Sequence, residues 1–415
     1  MSCTQNTVPL DALVELRLER VASYKDPELP YIGLEHLAGG RPKLLGTLPS
    51  SASVSINGVF AQNDILFGKL RPNLRKSLRA PFAGYCSTDI LVLRARDGIR
   101  PDFAGHLFQW EPIFASAAAS AAGTKMPRTS WNELKRYSVR QPESEGEQSR
   151  IAALLDTADE AIAKAEALVA KLRQVRTGLI HDLLTCGLDE NGHLRDPVAH
   201  PEEFSDSPLG LVPSDWTVAP LKHFLSSTEY GISTSLRSEG VLPVLRMNNL
   251  AGGEVDLAEV KFATHEVPPS LNLREGDVLF NRTNSFEHVG KTCIWRGQLP
   301  VATFASYLVR LNPAAGKLTS ELLNLVLNSP EYQLRMRRFA TPAVQQVNIN
   351  PTSLQKMLVA IPNTISEQER IVVRAREAAR SIATEAAELD KLQAIKSGLT
   401  DDLLTGRVRV PEASP

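Results

Sequence analysis

Cysteine is scarce in this sequence, and the four that occur are scattered: Cys3, Cys86, Cys186 and Cys293. Because no Cys-x-x-Cys pair occurs, the sequence predicts neither a structural zinc site nor a disulfide framework. The eight histidines show no spacing typical of zinc hydrolases. We therefore expect no metal and no cofactor.

Long apolar runs are missing as well. No stretch approaches twenty consecutive apolar residues, and the chain does not begin with a secretion signal. These absences predict a cytoplasmic protein with no membrane partner. The 415 residues are 43% apolar, which suits two or three domains with separate cores.

The sequence also lacks the motifs of enzymes that act on nucleic acids. It contains no Asn-Pro-Pro-Tyr or Asp-Pro-Pro-Tyr string, so an amino-methyltransferase site is missing. FEHVGKT (286–292) ends like a phosphate-binding loop, but Ser285 stands where the first glycine is required. Pro101-Asp102 with Glu133-x-Lys135 fits a loose nuclease pattern, although helix capping also explains Glu133. We expect a protein that is not an enzyme, with a self-contained nuclease as the rival hypothesis.

What the sequence does contain is a repeat. Residues 147–185 align with residues 367–405 without a gap, and sixteen of the thirty-nine pairs are identical. Upstream, LPYIGLEHLAGG (29–40) matches LPVLRMNNLAGG (242–253), and NDILFGK (63–69) matches GDVLFNR (276–282) at the same offset. A repeat of this length indicates two diverged copies of one unit, each a globular part followed by a helix.

Net charge is −1, but it is unevenly distributed. Residues 60–100 carry eight basic and three acidic side chains, and so do residues 281–340. Residues 143–200 carry eleven acidic and six basic ones. Local positive fields on the globular parts favour a polyanionic partner, and ordinary surface scatter is the alternative.

Apolar residues spaced alternately by four and three predict two long helices. Each helix has one apolar stripe to bury, and the other copy is the obvious partner. The predicted pairing residues, which double as candidate docking positions for a partner protein, are Ile151, Leu155, Ile162, Val169, Leu172, Leu179, Leu183, Ile371, Ile382, Leu389, Leu392, Leu399 and Leu403. Equivalent helices in one chain pack most simply as an antiparallel coiled coil about a pseudo-two-fold axis.

The motif order resembles that of the specificity subunit of type I restriction-modification systems. The resemblance rests on the helix starts PESEGEQSRI (142–151) and PNTISEQERI (362–371), and on the helix ends GLIHDLLT (178–185) and GLTDDLLT (398–405). In the globular parts it rests on NDILFGKLRPNLRK (63–76), VPSDW (212–216) and GDVLFNRTN (276–284). The first copy has no VPSDW, and Cys186 stands where the second copy has Gly406.

The resemblance implies an α+β fold with tandem target-recognition domains, and a non-catalytic role. It divides the chain into a first recognition domain (1–142), a spacer helix (143–187), a linker (188–208), a second recognition domain (209–362), a second spacer helix (363–405) and a tail (406–415). It implies double-stranded DNA as ligand, two adenine-N6 methyltransferase subunits as partners, and restriction subunits recruited through them. A specificity subunit of a system that cuts on both sides of its site, with a fused nuclease-methyltransferase partner, remains an alternative.

The candidate DNA-contacting residues lie on loops of the two globular parts. Arg and Lys hold phosphates or contact guanine, whereas Asn and Gln fit adenine. The candidates are Lys69, Arg71, Asn73, Arg75, Lys76, Lys125, Arg128, Arg246, Asn248, Asn249, Arg282, Asn284, Lys291, Gln345, Gln346, Asn348 and Asn350. Solvated loops, turns and caps are the alternative interpretation. Because the copies have diverged, we expect an asymmetric site in two parts.

Overall fold

The computed structural model describes residues 7–22, 26, 29–52, 55–343 and 346–411. The chain divides into two compact units, unit 1 (Met1–Ala167 with Ala386–Pro415) and unit 2 (Leu168–Glu385). Each unit combines sheets, short helices and parts of two long helices, which confirms the predicted mixture of α and β structure.

Unit 1 is built on two larger sheets and a short strand pair. The described strands, in sheet order, are Val14–Arg17, Ile90–Ala95, Ile65–Gly68 and Ser77–Arg79; Arg20–Ala22, Ile56–Phe60, Gly84–Cys86, Pro30–Ile32 and Leu48–Pro49; and Thr7–Pro9 with Ser138–Arg140. The short helices are Pro101–Leu107, Glu111–Ala119 and Trp131–Leu134. Ile65–Gly68 is buried along its whole length because it is an interior strand of its sheet, and its unbroken apolar run fits that position.

Unit 2 repeats this plan with more strands. The described strands, in sheet order, are Leu225–Tyr230, Leu308–Pro313, Val278–Asn281 and Thr292–Ile294; Leu236–Arg237, Lys261–Ala263, Leu242–Leu245 and Thr303–Phe304; Thr283–Asn284, Gln346–Ile349 and Ala340–Ala343; Trp216–Pro220 with Leu358–Pro362; Phe204–Ser207 with Gly210–Pro213; and Leu250–Ala251 with Glu254–Val255. The short helices are Ser320–Asn328, Pro330–Arg337 and Pro351–Leu354.

An aspartate stabilises the turn before the central strand in both units. In unit 1, Asp64 accepts a bond from the Ala61 amide at 2.8 Å and pairs with Arg94 at 2.7 Å. In unit 2, Asp277 accepts from the Arg274 amide at 3.0 Å and from Arg310 Nη1 at 2.8 Å. In both copies Asn or Gly precedes this aspartate and a hydrophobic residue follows it. The role of the aspartate in the turn explains why this motif is repeated.

Both long helices predicted from the apolar spacing are present. They run Glu145–Thr185 and Ile365–Thr405, each 41 residues. In unit 1, Ile151 and Leu155 share a core with Leu403 and Leu404. Lys396 Nζ also lies 2.5 Å from Asp159 there.

In unit 2, Ile180, Leu183 and Leu184 share a core with Ile371 and Val372. None of the thirteen predicted pairing residues is exposed. Ile395, which continues the spacing on the second helix, is 63% exposed and therefore lies off the buried stripe.

The repeated Glu-Gln pair near each helix start anchors the helix to its own globular part. In unit 1, the Gln148 side chain bonds the Arg100 amide at 2.8 Å and the Gly98 carbonyl at 3.0 Å. Its counterpart Gln368 accepts from the Thr319 amide at 2.9 Å and donates to the Lys317 carbonyl at 2.9 Å.

The two glutamates are buried and ion-paired. Glu147 accepts from Arg140 Nη2 at 2.6 Å. Glu367 accepts from Arg195 Nη1 at 3.0 Å, from the Leu188 amide at 3.1 Å and from Trp216 Nε1 at 3.2 Å. The glutamate of the repeated Glu-Gln pair and the tryptophan of VPSDW therefore contact each other in one structural cluster.

A left-handed glycine follows each long helix. Gly406 at φ 72° comes directly after the second helix, whereas Cys186 stands between the first helix and Gly187 at φ 69°. In the tail, Arg409 pairs with Glu143 at 2.9 Å and Val410 packs against the unit 1 core. An apolar side chain and an ion pair thus connect this segment to the globular part.

One smaller expectation also fails. Ser130 stands at the N-cap of Trp131–Leu134, but its side chain makes no capping hydrogen bond. The capping box with Glu133 is therefore absent, because the serine side chain does not accept from the helix amides.

Candidate nucleic-acid interface

Two loops of unit 1 come together to form the first candidate surface. The loop 69–76 follows the central strand Ile65–Gly68, and the Thr129 amide donates to the Lys69 carbonyl at 3.0 Å. The Arg71 amide donates to the Pro127 carbonyl at 2.7 Å. Two predicted regions that are more than fifty residues apart in sequence therefore form one basic surface.

The backbone of this loop is unusual. Arg71 at φ 49° and Arg75 at φ 54° adopt the left-handed conformation on either side of the turn Pro72–Leu74. Residues other than glycine rarely adopt this conformation, and they do so mostly where the surroundings fix it and where function uses it. The Gly40 amide, which donates to the Arg75 carbonyl at 2.8 Å, contributes to that fixation.

The cations of this surface differ in how far they are already paired. Arg128 Nε bonds Asp89 at 2.8 Å, and this hydrogen-bonded carboxylate raises the pKa of Arg128 above its ordinary value. Arg75 pairs with Glu111, and Lys76 Nζ donates to the Leu34 carbonyl at 2.6 Å. Arg71 Nη2 donates to the Lys125 carbonyl in a long contact of 3.4 Å. Among these four, Arg71 is therefore the least engaged; Lys125 and Asn73 are exposed beside it.

Unit 2 builds its surface from the equivalent backbone contacts. Arg282 follows the strand Val278–Asn281, and the Ile349 amide donates to the Arg282 carbonyl at 2.8 Å. Arg282 Nη2 also lies 3.3 Å from Asn348 Oδ1. The amide nitrogen of Asn348 donates to Thr283 Oγ1 at 3.1 Å, so both ends of that side chain are used.

The side chains of three other predicted residues of this surface already have partners within the protein. Asn284 Oδ1 accepts from the Ser285 amide at 2.8 Å, and Asn350 Oδ1 accepts from the Thr352 amide at 2.9 Å as a helix cap. Lys291 Nζ lies 2.6 Å from His288 Nδ1. Gln346 pairs in the strand Gln346–Ile349, and Gln345 lies outside the described residues.

The Arg-Met-Asn-Asn turn separates its two asparagines. Asn249 is 1% exposed, and its Oδ1 accepts from the Arg246 amide at 2.9 Å while its Nδ2 donates to the Asp256 carbonyl at 2.8 Å. Asn248 is exposed, and Arg246 Nη2 bonds the Glu259 carbonyl at 3.0 Å. Asn249 thus holds the turn and has no free edge for a base.

Aromatic side chains beside the unit 2 cations were not singled out from the sequence. The Arg282 guanidinium lies over the Tyr230 ring at 5.3 Å, and Arg337 lies over Phe286 at 5.4 Å. Tyr230 and Phe286 are 49% and 53% exposed. Only the fold brings Tyr230 to Arg282, which is 52 residues further along the chain, so no local sequence signal identifies it.

Along the described parts of the chain, no helix combines the length and apolarity needed to cross a membrane. In those same parts, no three His, Cys, Asp or Glu side chains converge as metal ligands would.

Known proteins resemble this chain in sequence. No protein-family model matches it. The putative type I restriction enzyme MjaX specificity subunit of Methanocaldococcus jannaschii is 26% identical over 208 residues, and this alignment spans about half, 49%, of each protein. The type I restriction enzyme MjaVIII specificity subunit of the same organism is 22% identical over 412 residues, which cover 96% of this chain and 92% of the relative.

Solved structures resemble it in fold. A chain from a structure concerning complex assembly and conformational transition of the type I R-M system has a TM-score of 0.62 at 20% identity and covers 97% of this chain and 98% of its own length. The S subunit of a type I restriction-modification system from M. genitalium has a TM-score of 0.54 at 16% identity, with 100% and 98% covered. These findings confirm the resemblance to type I specificity subunits, and the names of the curated relatives agree with a non-catalytic role.

Proposed function

We propose that the chain is the DNA-reading specificity subunit of a type I restriction-modification complex. The observation that carries the proposal is the repeated loop contact, Lys69 carbonyl with Thr129 amide in unit 1 and Arg282 carbonyl with Ile349 amide in unit 2. In both units the contact joins the same two loops and concentrates Arg, Lys or amide side chains beside the central strand. Such side chains are the usual ones for contacts to phosphates and base edges.

The recognition domains are residues 1–142 and 209–362 in this proposal. Their loops carry different side chains, mostly cations in the first and an arginine among amides and aromatics in the second. A target read by these two surfaces has two unlike halves. The recognised sequence is therefore bipartite and asymmetric.

The two long helices pair antiparallel in this proposal and fix the distance between the half-sites. The support comes from each unit separately. In unit 1 the start of the first helix shares a core with the end of the second, and in unit 2 the end of the first shares a core with the start of the second. A helix of 41 residues is about 60 Å long, slightly less than two turns of duplex DNA at about 34–36 Å each.

The same helices dock two methyltransferase subunits, and restriction subunits join through these. Support comes from apolar side chains that remain exposed on the helices: Leu154, Leu168, Val175, Val373 and Ile395. Exposed apolar side chains are candidate contacts for another protein when they form a patch. Catalysis belongs to those partner subunits.

The test is a genome-wide map of methylated adenine in the native host, with and without this gene. We expect a two-part asymmetric motif to lose methylation when the gene is deleted and to regain it on complementation. An unchanged map in a host whose methyltransferase gene is expressed would contradict the proposal. DNA cleavage by the isolated chain would instead favour the nuclease hypothesis.

A further inference from the structure

Arg282 is a cation of the unit 2 surface that contacts both an aromatic ring and an amide. Its guanidinium lies 5.3 Å from the centre of the Tyr230 ring. Its Nη2 lies 3.3 Å from Asn348 Oδ1. The Asn348 amide is itself oriented by the bond from its Nδ2 to Thr283 Oγ1, so the guanidinium is fixed by a ring face and by an oriented acceptor.

The position of Tyr230 is also fixed. Tyr230 ends the strand Leu225–Tyr230, and its Cα lies opposite that of Val309 in the neighbouring strand. Gly231 follows at a point where a Cβ atom would lie 2.2 Å from the Phe304 carbonyl oxygen, so no larger residue fits there. The backbone after Tyr230 is therefore held against the end of the strand Thr303–Phe304, which fixes where the Tyr230 side chain begins.

Two contacts set the plane of this guanidinium, the bond from Nη2 to Asn348 and the contact with the Tyr230 ring. Its Nε atom is buried and makes no hydrogen bond among the described residues, a feature that it shares with the Nε atoms of Arg246 and Arg337. A guanidinium whose plane is fixed can donate two parallel bonds to the O6 and N7 atoms of guanine.

We propose that Tyr230 is a positioning residue that orients Arg282 to read a guanine in the half-site contacted by unit 2. The inference rests on the proposed DNA-reading function and adds to it one base and two positioning side chains, Tyr230 and Asn348. An arginine that only neutralises a phosphate needs no fixed plane, because charge attraction depends weakly on orientation. A bidentate contact to a base does need one.

Unit 1 offers a matched control. Lys69 occupies the place of Arg282, since both residues follow the equivalent strand and both carbonyls accept the equivalent loop amide. From the strand registers, Leu18 takes the place of Tyr230, and it is 70% exposed. The first unit therefore has neither the ring nor the guanidinium.

The experiment maps methylated adenine in the gene-deleted host complemented with the full chain or with a variant. Tyr230→Ala should raise methylation at sites that differ from the motif at one guanine position, by about tenfold relative to matched sites. Arg282→Lys should relax the same position, because lysine keeps the charge but not the fork. Tyr230→Phe, which keeps the ring, and Leu18→Ala should leave the motif unchanged.

The outcomes separate the possibilities. Equal loss of methylation at all sites in Tyr230→Ala and Arg282→Lys would mean that Arg282 holds a phosphate, and an unchanged motif would mean that it contacts no base; either result overturns the proposal. If Tyr230→Ala abolishes all methylation, two milder variants decide. Relaxation at one guanine position in Arg282→Lys, with an unchanged motif in Tyr230→Phe, supports the proposal, and an unchanged motif in both overturns it. If the wild-type gene restores no motif, the proposed function itself fails, which is a distinct result.

Discussion

Lys69 and Arg282 occupy equivalent places after equivalent strands, yet their surroundings differ. Lys69 belongs to a surface of cations on two loops, and two of these cations, Arg75 and Arg128, are already paired with Glu111 and Asp89. Arg282 stands against an aromatic ring and an amide. The comparison teaches that duplication preserved the backbone contacts between the two loops while the side chains on them changed.

The structural parts of the two units diverged much less. Gln148 and Gln368 make the same kind of contacts, as do Glu147 and Glu367. Even a substituted position retains its bond: His36 Nδ1 accepts from the Gly33 amide at 2.9 Å, where Asn249 Oδ1 accepts from the Arg246 amide at the same distance. Helix anchors and turns are thus common to both copies, whereas the side chains on the loops of the proposed interface differ.

The largest expected effect concerns the helix anchors. Glu367→Ala removes the carboxylate that pairs with Arg195, and Glu147→Ala removes the one that pairs with Arg140. Glu147→Ala should lower the free energy of unfolding of unit 1 by about 3–5 kcal/mol, because the buried Arg140 is left unpaired. Glu367→Ala should lower that of unit 2 by about 1–3 kcal/mol, because Trp216 Nε1 and the Leu188 amide lose their acceptor while Arg195 keeps its pair with Asp215. Hydrogen exchange resolved by peptide would measure this.

Exposed neighbours provide the controls for the anchors. Glu369→Ala and Glu145→Ala, on the same helix starts, should change stability little. If the buried and the exposed glutamates behaved alike, the anchoring role would be wrong.

A smaller effect should separate the two asparagines of the 246–249 turn. Asn249→Ala should cost about 1–3 kcal/mol, since the Arg246 amide and two carbonyl groups lose their partner. Asn249→His should restore part of the loss, because His36 fills that role in unit 1. Thermal unfolding of the wild type, Asn249→Ala and Asn249→His measures these changes in stability, with Asn248→Ala as the exposed control. Equal losses of stability in Asn248→Ala and Asn249→Ala would refute the distinction.

The contrast between the two recognition loops can be tested by salt dependence. Arg71→Ala should weaken DNA binding by a similar factor for all sequences and lower the salt slope by about 1, as expected for a phosphate contact. Affinities of the full chain for duplexes carrying the mapped motif and its single-base variants, over a range of salt, would measure it. Lys391→Ala on the second helix is a matched loss of charge away from the loops. A base-specific loss for Arg71→Ala would instead show that Arg71 contacts a base rather than a phosphate.

The smallest effect is pH dependence confined to unit 1. His106 is buried, which lowers its pKa despite the bond from its Nε2 to Asp156 at 2.8 Å; Asp159 and Lys396 are also close. The unfolded chain therefore binds a proton more readily than the folded one as the pH falls below about 6.5. The stability contributed by neutral His106 is present above that pH and is lost as the pH falls through the folded pKa.

Unit 2 gives the control for this effect. Gln148 accepts from the Arg100 amide and Gln368 accepts from the Thr319 amide, so these two helix starts are equivalent. Leu325 is therefore the counterpart of His106, since each lies six residues after that amide. His106→Leu should flatten the pH dependence of hydrogen exchange in unit 1 between about pH 7 and 5. An unaltered slope in that variant would assign the dependence to other groups.

The sequence predicts the two long helices and their burial well because apolar spacing is a direct signal of a packed helix. It predicts which loops carry charge, but not which charges are already paired. Asp89 and Glu111 are distant in sequence from the cations they engage, and Asn249 is buried by contacts with Asp256 and Glu259 that depend on the turn. Tyr230 was missed for the same reason, since only strand pairing brings it to Arg282.

The most direct test of the central claim shortens both helices by one heptad, residues 164–170 and 384–390, and then maps the methylated motif. If the helices set the distance between two reading surfaces, both half-sites should be retained and the gap should shrink by about 10 Å, or about three base pairs. A folded variant whose motif keeps its original gap would contradict the account.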